Sequence, residues 1–424
     1  MLNVGGVHMV KIDDVNIFGK GVCRVENMVV FVEDTLKDEV CQIRIVKALP
    51  KYAYGVVESR IEKSPERIKS LCPHYLKCGG CSFLHASIDE ENSIKEAYVK
   101  KAFEKQGITA SYEKIVCPVN DKYRNKVVLF FDGQDFGYMM GESNEIVPHN
   151  TCLLNEDIFD KIANETKVIL KDTSIRALYM RKSSNNREIM VCPIFKAKTN
   201  VDNYVQQITH IFPQVKTILY SGTDDEKIVL EKLSFNCAYG EGYINDQICG
   251  LSFRISPESF YQVNHTCAEL LYEKAIALAT LSKENTCADL FCGTGTIGTI
   301  VAKKTGATVY GVEIVKRAVE DAKYNSQING VKNAHFEAMD AGKFNKSVDV
   351  AIIDPPRKGC SQRMLQTLLR LKPQRIVYVS CNVDTMARDL KTLLECYTIS
   401  APVSVFNLFP RTSHVESVVC LSRK

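Results

Sequence analysis

Apolar positions in the first part of the chain recur in short runs. Stretches 29–32 and 40–46 are rich in β-branched residues, and Gly19 and Gly21 punctuate a turn before them. Tyr52, Tyr54, Val56 and Val57 suggest a further strand, and a small barrel is a natural way to close so many short strands. Residues 94–106 carry apolar side chains at helical spacing, and stretches 126–131, 188–195 and 217–221 are again strand-like. From about residue 285 strands and helices alternate. Strands are expected at 287–291, 308–313, 348–354 and 376–380, with helices at 296–304, 316–328, 361–371 and 384–394. This alternation predicts a doubly wound parallel sheet. Two strand-like runs within 405–421, with no helix between them, predict an antiparallel hairpin finishing that sheet.

The expected fold is therefore α/β. A Rossmann-like domain at 249–424 follows a small β-barrel at 1–62 and a mixed α+β domain at 63–248. A helix within 92–110 is expected to pack on the last domain. With 424 residues, 45% of them hydrophobic and 25% charged, the chain can bury several cores. The net charge of +4 does not by itself mark a nucleic-acid binder, because local patches matter more than totals. Residues 92–131 hold eight Lys/Arg against four Asp/Glu, which suits an RNA-facing patch or an ordinary solvated face. Lys11, Lys20, Arg24, Lys47 and Lys51 present the same choice on the barrel. No stretch approaches a membrane span, and residues 1–10 lack a signal-peptide pattern. A reducing cytoplasm is expected, where the 17 cysteines serve as metal ligands, catalytic groups or core rather than as disulfides. No obligate protein partner is evident.

Candidate chemistry concentrates in the last domain. The stretch 289–298, Asp-Leu-Phe-Cys-Gly-Thr-Gly-Thr-Ile-Gly, lies between an expected strand and helix, where glycines let the backbone turn tightly beside a ligand. Glu313 ends the next strand, placed to accept the hydroxyls of a ribose. Gly293, Gly295 and Gly298 also satisfy a dinucleotide fingerprint, so an NAD-dependent iron–sulfur oxidoreductase is a rival reading. Asp289, at the strand end, suits a charged amino-acid moiety better than a pyrophosphate. Asp354-Pro355-Pro356-Arg357 stands at the rim where open sheets bind ligands. An aromatic residue after the two prolines would point to an exocyclic base amine as methyl acceptor, but Arg357 follows instead.

Cys381 ends the next strand at the same rim, and Glu416 follows the Phe409-Pro410 turn. One cysteine, one base and one methyl donor suffice to methylate C5 of uracil. A thiolate adds to C6, C5 becomes nucleophilic, and a base then removes its proton. Glu416 is the expected base, with His414 a possible substitute, and S-adenosylmethionine is the expected donor. A target base in structured RNA must first leave its stack. A catalytically dead RNA-binding protein is a further alternative, against which the intact Cys381 and Glu416 argue. Elsewhere, Cys72, Cys78 and Cys81 fall within ten residues, and Cys152 follows much later. Such clustering points to a metal, with zinc and iron–sulfur both compatible with thiolate ligands.

Phe260-Tyr261-Gln262-Val263-Asn264, Ser380-Cys381-Asn382 and Phe409-Pro410 with His414-Val415-Glu416 resemble motifs of the RNA uracil-5-methyltransferase family. The resemblance covers nearly the whole chain and is greatest to the ribosomal 23S RNA branch. It implies a class I methyltransferase domain behind a TRAM-like barrel, making 5-methyluridine in ribosomal RNA, with transfer RNA as the alternative substrate. It further implies that Gln262, Phe291, Glu313, Asp340 and Asp354 contact the cofactor, and that Cys381 and Glu416 are nucleophile and base. A 4Fe–4S cluster held by Cys72, Cys78, Cys81 and Cys152 is implied as well. Tyr123-Arg124-Asn125-Lys126 resembles a segment that faces RNA. The chain departs from the family at Val383, where Pro is frequent.

Overall fold

In the computed structural model, residues 2–424 are described apart from Glu142, Asn144 and Glu226. Six strands form the N-terminal sheet, in the spatial order Val7–Lys11, Val40–Ala48, Tyr52–Glu62, Met28–Val32, Gly21–Val25 and Asp14–Val15. Alternation explains its core. Along Val40–Ala48 the inward positions are Cys41, Ile43 and Ile45, and they meet Val30, Val32 and Cys23 from neighbouring strands. Asp13, just past the first strand, donates its N–H to the carbonyl of Val22, which curls the sheet toward closure.

A seven-stranded central sheet runs in the order Asn236–Tyr239, Val215–Gly222, Ile189–Phe195, Ile175–Lys182, Lys126–Phe131, Phe136–Met139 and Ile146–Pro148. Helices Asp157–Ile169 and Asp202–Ile211 cover one face through Phe159, Ile162, Tyr204 and Ile208. The other face packs Tyr179, Met190 and Cys192 into the same core as helix His265–Ala279 and the last sheet. The Ile189–Phe195 strand is therefore buried at every position, and it carries no alternation in the sequence.

The last sheet runs Ala334–Ala338, Thr308–Glu313, Thr286–Leu290, Val350–Ile353, Arg375–Ser380, Glu416–Arg423 and Tyr397–Ile399. The first five strands are parallel, and Glu416–Arg423 is antiparallel to its neighbours. Ser404–Phe406 also pairs with Glu416–Arg423, forming the terminal hairpin expected from the sequence. The Tyr397–Ile399 strand is an addition that its three residues were too short to announce.

The helix expected at 94–106 begins earlier and spans Ile88–Lys105. The Ser87 hydroxyl caps it by accepting from the Glu90 N–H, and Asp89, Glu90 and Glu91 favour its positive end. That polar first turn hides the start from any search for apolar spacing. No helix among the described residues is long and apolar enough to cross a membrane.

Candidate active site

Strand Thr286–Leu290 pairs with both Thr308–Glu313 and Val350–Ile353, so the direction of strand succession reverses there. Open parallel sheets leave a crevice above the carboxyl ends of such strands. Phe291 leaves the first strand at φ 72°, a conformation rare outside glycine, and its N–H donates to the Val312 carbonyl. Gly293 adopts φ 51°, and a Cβ there would meet nothing within 4 Å, so its backbone opens onto the crevice. Glu313 accepts from the Gly293 N–H at 3.2 Å and the Val315 N–H at 3.0 Å, which fixes its carboxylate at the rim. Asp340 is exposed and accepts from the Gly342 N–H, capping the short turn Ala341–Lys343.

Asp354 follows Ile353 and is half-buried, and burial pushes its carboxyl up to about 7. Gln262 is buried, and its loop is pinned from behind. The Asn125 side-chain amide donates to the Gln262 carbonyl, while the wholly buried Arg181 donates to the carbonyls of Ser259 and Tyr261. Tyr272 reaches the same place from helix His265–Ala279. Burial, then the charge of Asp354, raise its phenol, and a hydrogen bond with the Gln262 side chain opposes them. Sequence reasoning missed Tyr272 because a tyrosine at helical spacing reads as core. Asp289 departs from expectation. It is buried, and its Oδ2 accepts from the Gly298 N–H at 2.8 Å, so it braces the start of helix Thr296–Thr305 instead of facing a ligand.

The ladder between Arg375–Ser380 and Glu416–Arg423 pairs Ser380 with Ser417. One step further along, the same register sets Cys381 across from Glu416, so two residues 35 positions apart share one end of the sheet. Cys381 is half-buried and Glu416 is buried. Burial, then Glu416, then Asp354 push the Cys381 thiol up to about 11, and Arg357 opposes them. Glu416 is raised well above the usual carboxylate range by burial, then by Asp354, again against Arg357. Arg357 is thus the cation of the cleft. It also lies 2.6 Å from Nδ1 and 2.9 Å from Nε2 of His414. Burial, then Arg357, Lys95 and Arg124, lower His414 to about 4. The turn after Cys381 is held without proline. The Ser380 hydroxyl accepts from the Asn382 N–H, and the Asn382 side chain accepts from Asp384 and Thr385 while donating to the Arg357 carbonyl. Val383 occupies the first helical position that Pro would otherwise take.

A buried ion pair fixes the turn ahead of Glu416. Lys95 Nζ donates to Glu91 at 2.8 Å, to the Asn407 side chain at 2.7 Å and to the Phe409 carbonyl at 3.2 Å. Glu91 in turn accepts from the Arg411 N–H and the Asn407 amide. Removing one partner of a buried pair strands the other charge. Lys95→Met should therefore cost about 3 kcal/mol of stability, read as a lower urea midpoint at unchanged slope.

Cys72, Cys78, Cys81 and Cys152 line one cavity, together with His74 and His149. Among the described residues, no three His, Cys, Asp or Glu side chains converge as the ligands of one metal ion. Residues 123–125 are engaged within the protein. The Tyr123 hydroxyl donates to the Pro410 carbonyl, and Asn125 is buried against Gln262. Arg124 donates to the Gly80 carbonyl and stacks over Tyr138, with its charge directed at Cys81 and Cys152. The arginine of the segment expected to face RNA is instead directed at the cysteine cavity.

Residues 281–413 match the model of the methyltransferase domain, and residues 2–57 that of the TRAM domain. An uncharacterized RNA methyltransferase of Halalkalibacterium halodurans is 33% identical over 451 residues, covering 100% of this chain and 98% of the relative. An uncharacterized RNA methyltransferase of Caldanaerobacter subterraneus subsp. tengcongensis is 33% identical over 453 residues, covering 100% and 99%. Among solved structures, the Pyrococcus abyssi tRNA (uracil-54, C5)-methyltransferase, in complex with S-adenosyl-L-homocysteine, matches with a TM-score of 0.81 at 25% identity. That match covers 98% of this chain and 100% of the Pyrococcus chain. The fold is the class I methyltransferase fold with an N-terminal TRAM domain, and the chain belongs to the RNA methyltransferase family.

Proposed function

We propose that this protein methylates C5 of a uridine in RNA through a covalent bond between Cys381 and C6. The observation that carries the reading is that Ser380 pairs with Ser417, so Cys381 and Glu416 stand together at one end of the sheet, where the charge of Glu416 acts on the Cys381 thiol. S-adenosylmethionine, when bound, supplies an electrophilic methyl group. Glu313 accepts from the Gly293 N–H, and Tyr272 lies with Asp354 and Gln262; in this reading these residues, with Phe291 and Asp340, bind and orient the donor. Cys381 adds as thiolate to C6, which turns the ring into an enolate that is nucleophilic at C5. After methyl transfer, Glu416 takes the C5 proton and the enolate expels the Cys381 thiolate. Arg357 steadies the thiolate, whose formation burial opposes. A carboxyl with raised proton affinity is suited to this abstraction. His414 suits it less, since Arg357 is directed at its ring nitrogens and its own basicity is depressed.

The four cysteines line one cavity, and the resemblance favours a 4Fe–4S cluster there over a zinc ion, although thiolates ligate both. The methyl transfer needs no redox step, so the cluster's part is to fold the 72–82 segment. Protein purified without oxygen should be brown and carry iron, and Cys81→Ser should lose both. A colourless protein holding zinc overturns the assignment.

Ribosomal 23S RNA in the cytoplasm is the proposed substrate, on the resemblance of the combined barrel and cysteine cluster. The Pyrococcus relative favours transfer RNA as a second reading. Mass mapping of 5-methyluridine in both RNA pools, from cells with and without the gene, tests both. Loss of one or more methyl groups from ribosomal RNA is expected. Loss from transfer RNA alone reassigns the substrate, and no loss from either overturns the proposal.

A further inference from the structure

Phe18 is 62% exposed at a tight turn. The turn is rigid. The Asn16 Oδ1 accepts from the N–H groups of Phe18 and Lys20, both at 3.0 Å, and the Gly19 N–H donates back to the Asn16 carbonyl. Gly19 adopts φ +72°, and a Cβ there would lie 2.1 Å from the Ser82 carbonyl oxygen. Ser82 and Phe83 in turn donate their N–H groups to the Arg411 carbonyl. The turn of the barrel is thus docked, through the cysteine segment, onto the loop that precedes Glu416.

Two clefts meet at this point. One is lined by Cys381, Arg357 and His414, the other by Lys77, Gly79, Ser82 and Lys20, with Glu33 and Asp34 beside them and Lys20 paired to Glu33 at 3.0 Å, and both are lined by Phe18 and Ser413. An RNA strand that delivers a base to Cys381 from the lysine-bearing cleft must pass the Phe18 ring. Lysines hold phosphates without regard to sequence, and aromatic rings hold unstacked bases by their faces.

Resting on the reading of an RNA uracil methyltransferase given above, we infer that Phe18 is the stacking platform for the nucleotide next to the target uridine. It holds the RNA in register while the target base is out of its stack. Phe18 is a positioning residue and takes no part in bond making. The ring stacks where an aliphatic side chain cannot, and most of it is exposed in the free protein.

The test uses the full-length protein and an RNA fragment carrying the uridine identified by mapping. Phe18→Leu should lower kcat/KM for RNA about tenfold or more, the lower range of a lost base stack. Its affinity for S-adenosylhomocysteine should be unchanged. Phe18→Trp should recover most of that loss. The chain contains no tryptophan, so the emission of Phe18→Trp reports on this one position and should be quenched as the RNA is added. Wild-type turnover by Phe18→Leu, or emission that saturating RNA leaves unaltered, overturns the inference while the methyltransferase reading stands. A wild-type protein that methylates no uridine overturns both.

Discussion

Cys381→Ala should reduce methyl transfer on the order of 10⁴-fold or more, the scale on which a covalent nucleophile is missed when its binding site survives. Release of tritium from RNA labelled at C5 of uridine measures it directly, because that hydrogen leaves only after C5 has been activated. The loss should be chemical and not structural. Cys381 is half-buried and makes no hydrogen bond that shapes the turn, which Ser380 and Asn382 hold between them. Binding of S-adenosylhomocysteine and the urea midpoint should therefore match those of the wild type. The nearby thiols of Cys267, Cys292 and Cys360 are buried. Cys360 is buried against the Tyr378 hydroxyl, and Cys292 is buried beneath the glycine loop. Tritium release near the wild-type rate would end the covalent scheme.

The thiol's environment makes this site unlike one built around a low-pKa cysteine. With Cys381 near 11 in the free protein, the thiolate fraction at neutral pH is small, and it grows as pH rises toward that value. Arg357 favours the thiolate, by its charge and by a hydrogen bond.

The last sheet was largely legible because its strands and helices alternate and each carries its own period. The rim residues followed from it. Once Gly293, Glu313, Asp354 and Cys381 end parallel strands, they share one edge. Other features leave no local trace. The buried Glu91 and Lys95 look like the polar face of a helix, and only the fold brings Asn407 and Arg411 to them. Arg124 and Asp289 misled for the same reason. A charged residue was read as facing a ligand, when each satisfies a buried neighbour. Phe18 lay unmarked just ahead of the two glycines of a turn, and its importance depends on clefts that widely separated segments form.

Glu416→Gln should produce a different phenotype from Cys381→Ala. The amide keeps the shape of the carboxyl and cannot take the C5 proton, so the methylated base stays joined to Cys381. Turnover should fall about 10²- to 10⁴-fold, the usual weight of a general base. A protein–RNA band should persist on a denaturing gel in the presence of S-adenosylmethionine. The amide brings no negative charge to the Cys381 thiol, so it does not oppose thiolate formation as a carboxylate there would. The adduct should then form at least as readily as in the wild type while failing to resolve. Adding Cys381→Ala to the same chain should remove the band, which separates a covalent link from tight binding. His414→Gln provides the contrast. With Arg357 against its ring and its pKa near 4, His414 is neutral at pH 7 and its loss should not trap RNA. Were His414→Gln to accumulate the band while Glu416→Gln turned over normally, proton abstraction would belong to the histidine. The buried carboxyl across from Cys381 would then serve only to set the charge of the cleft.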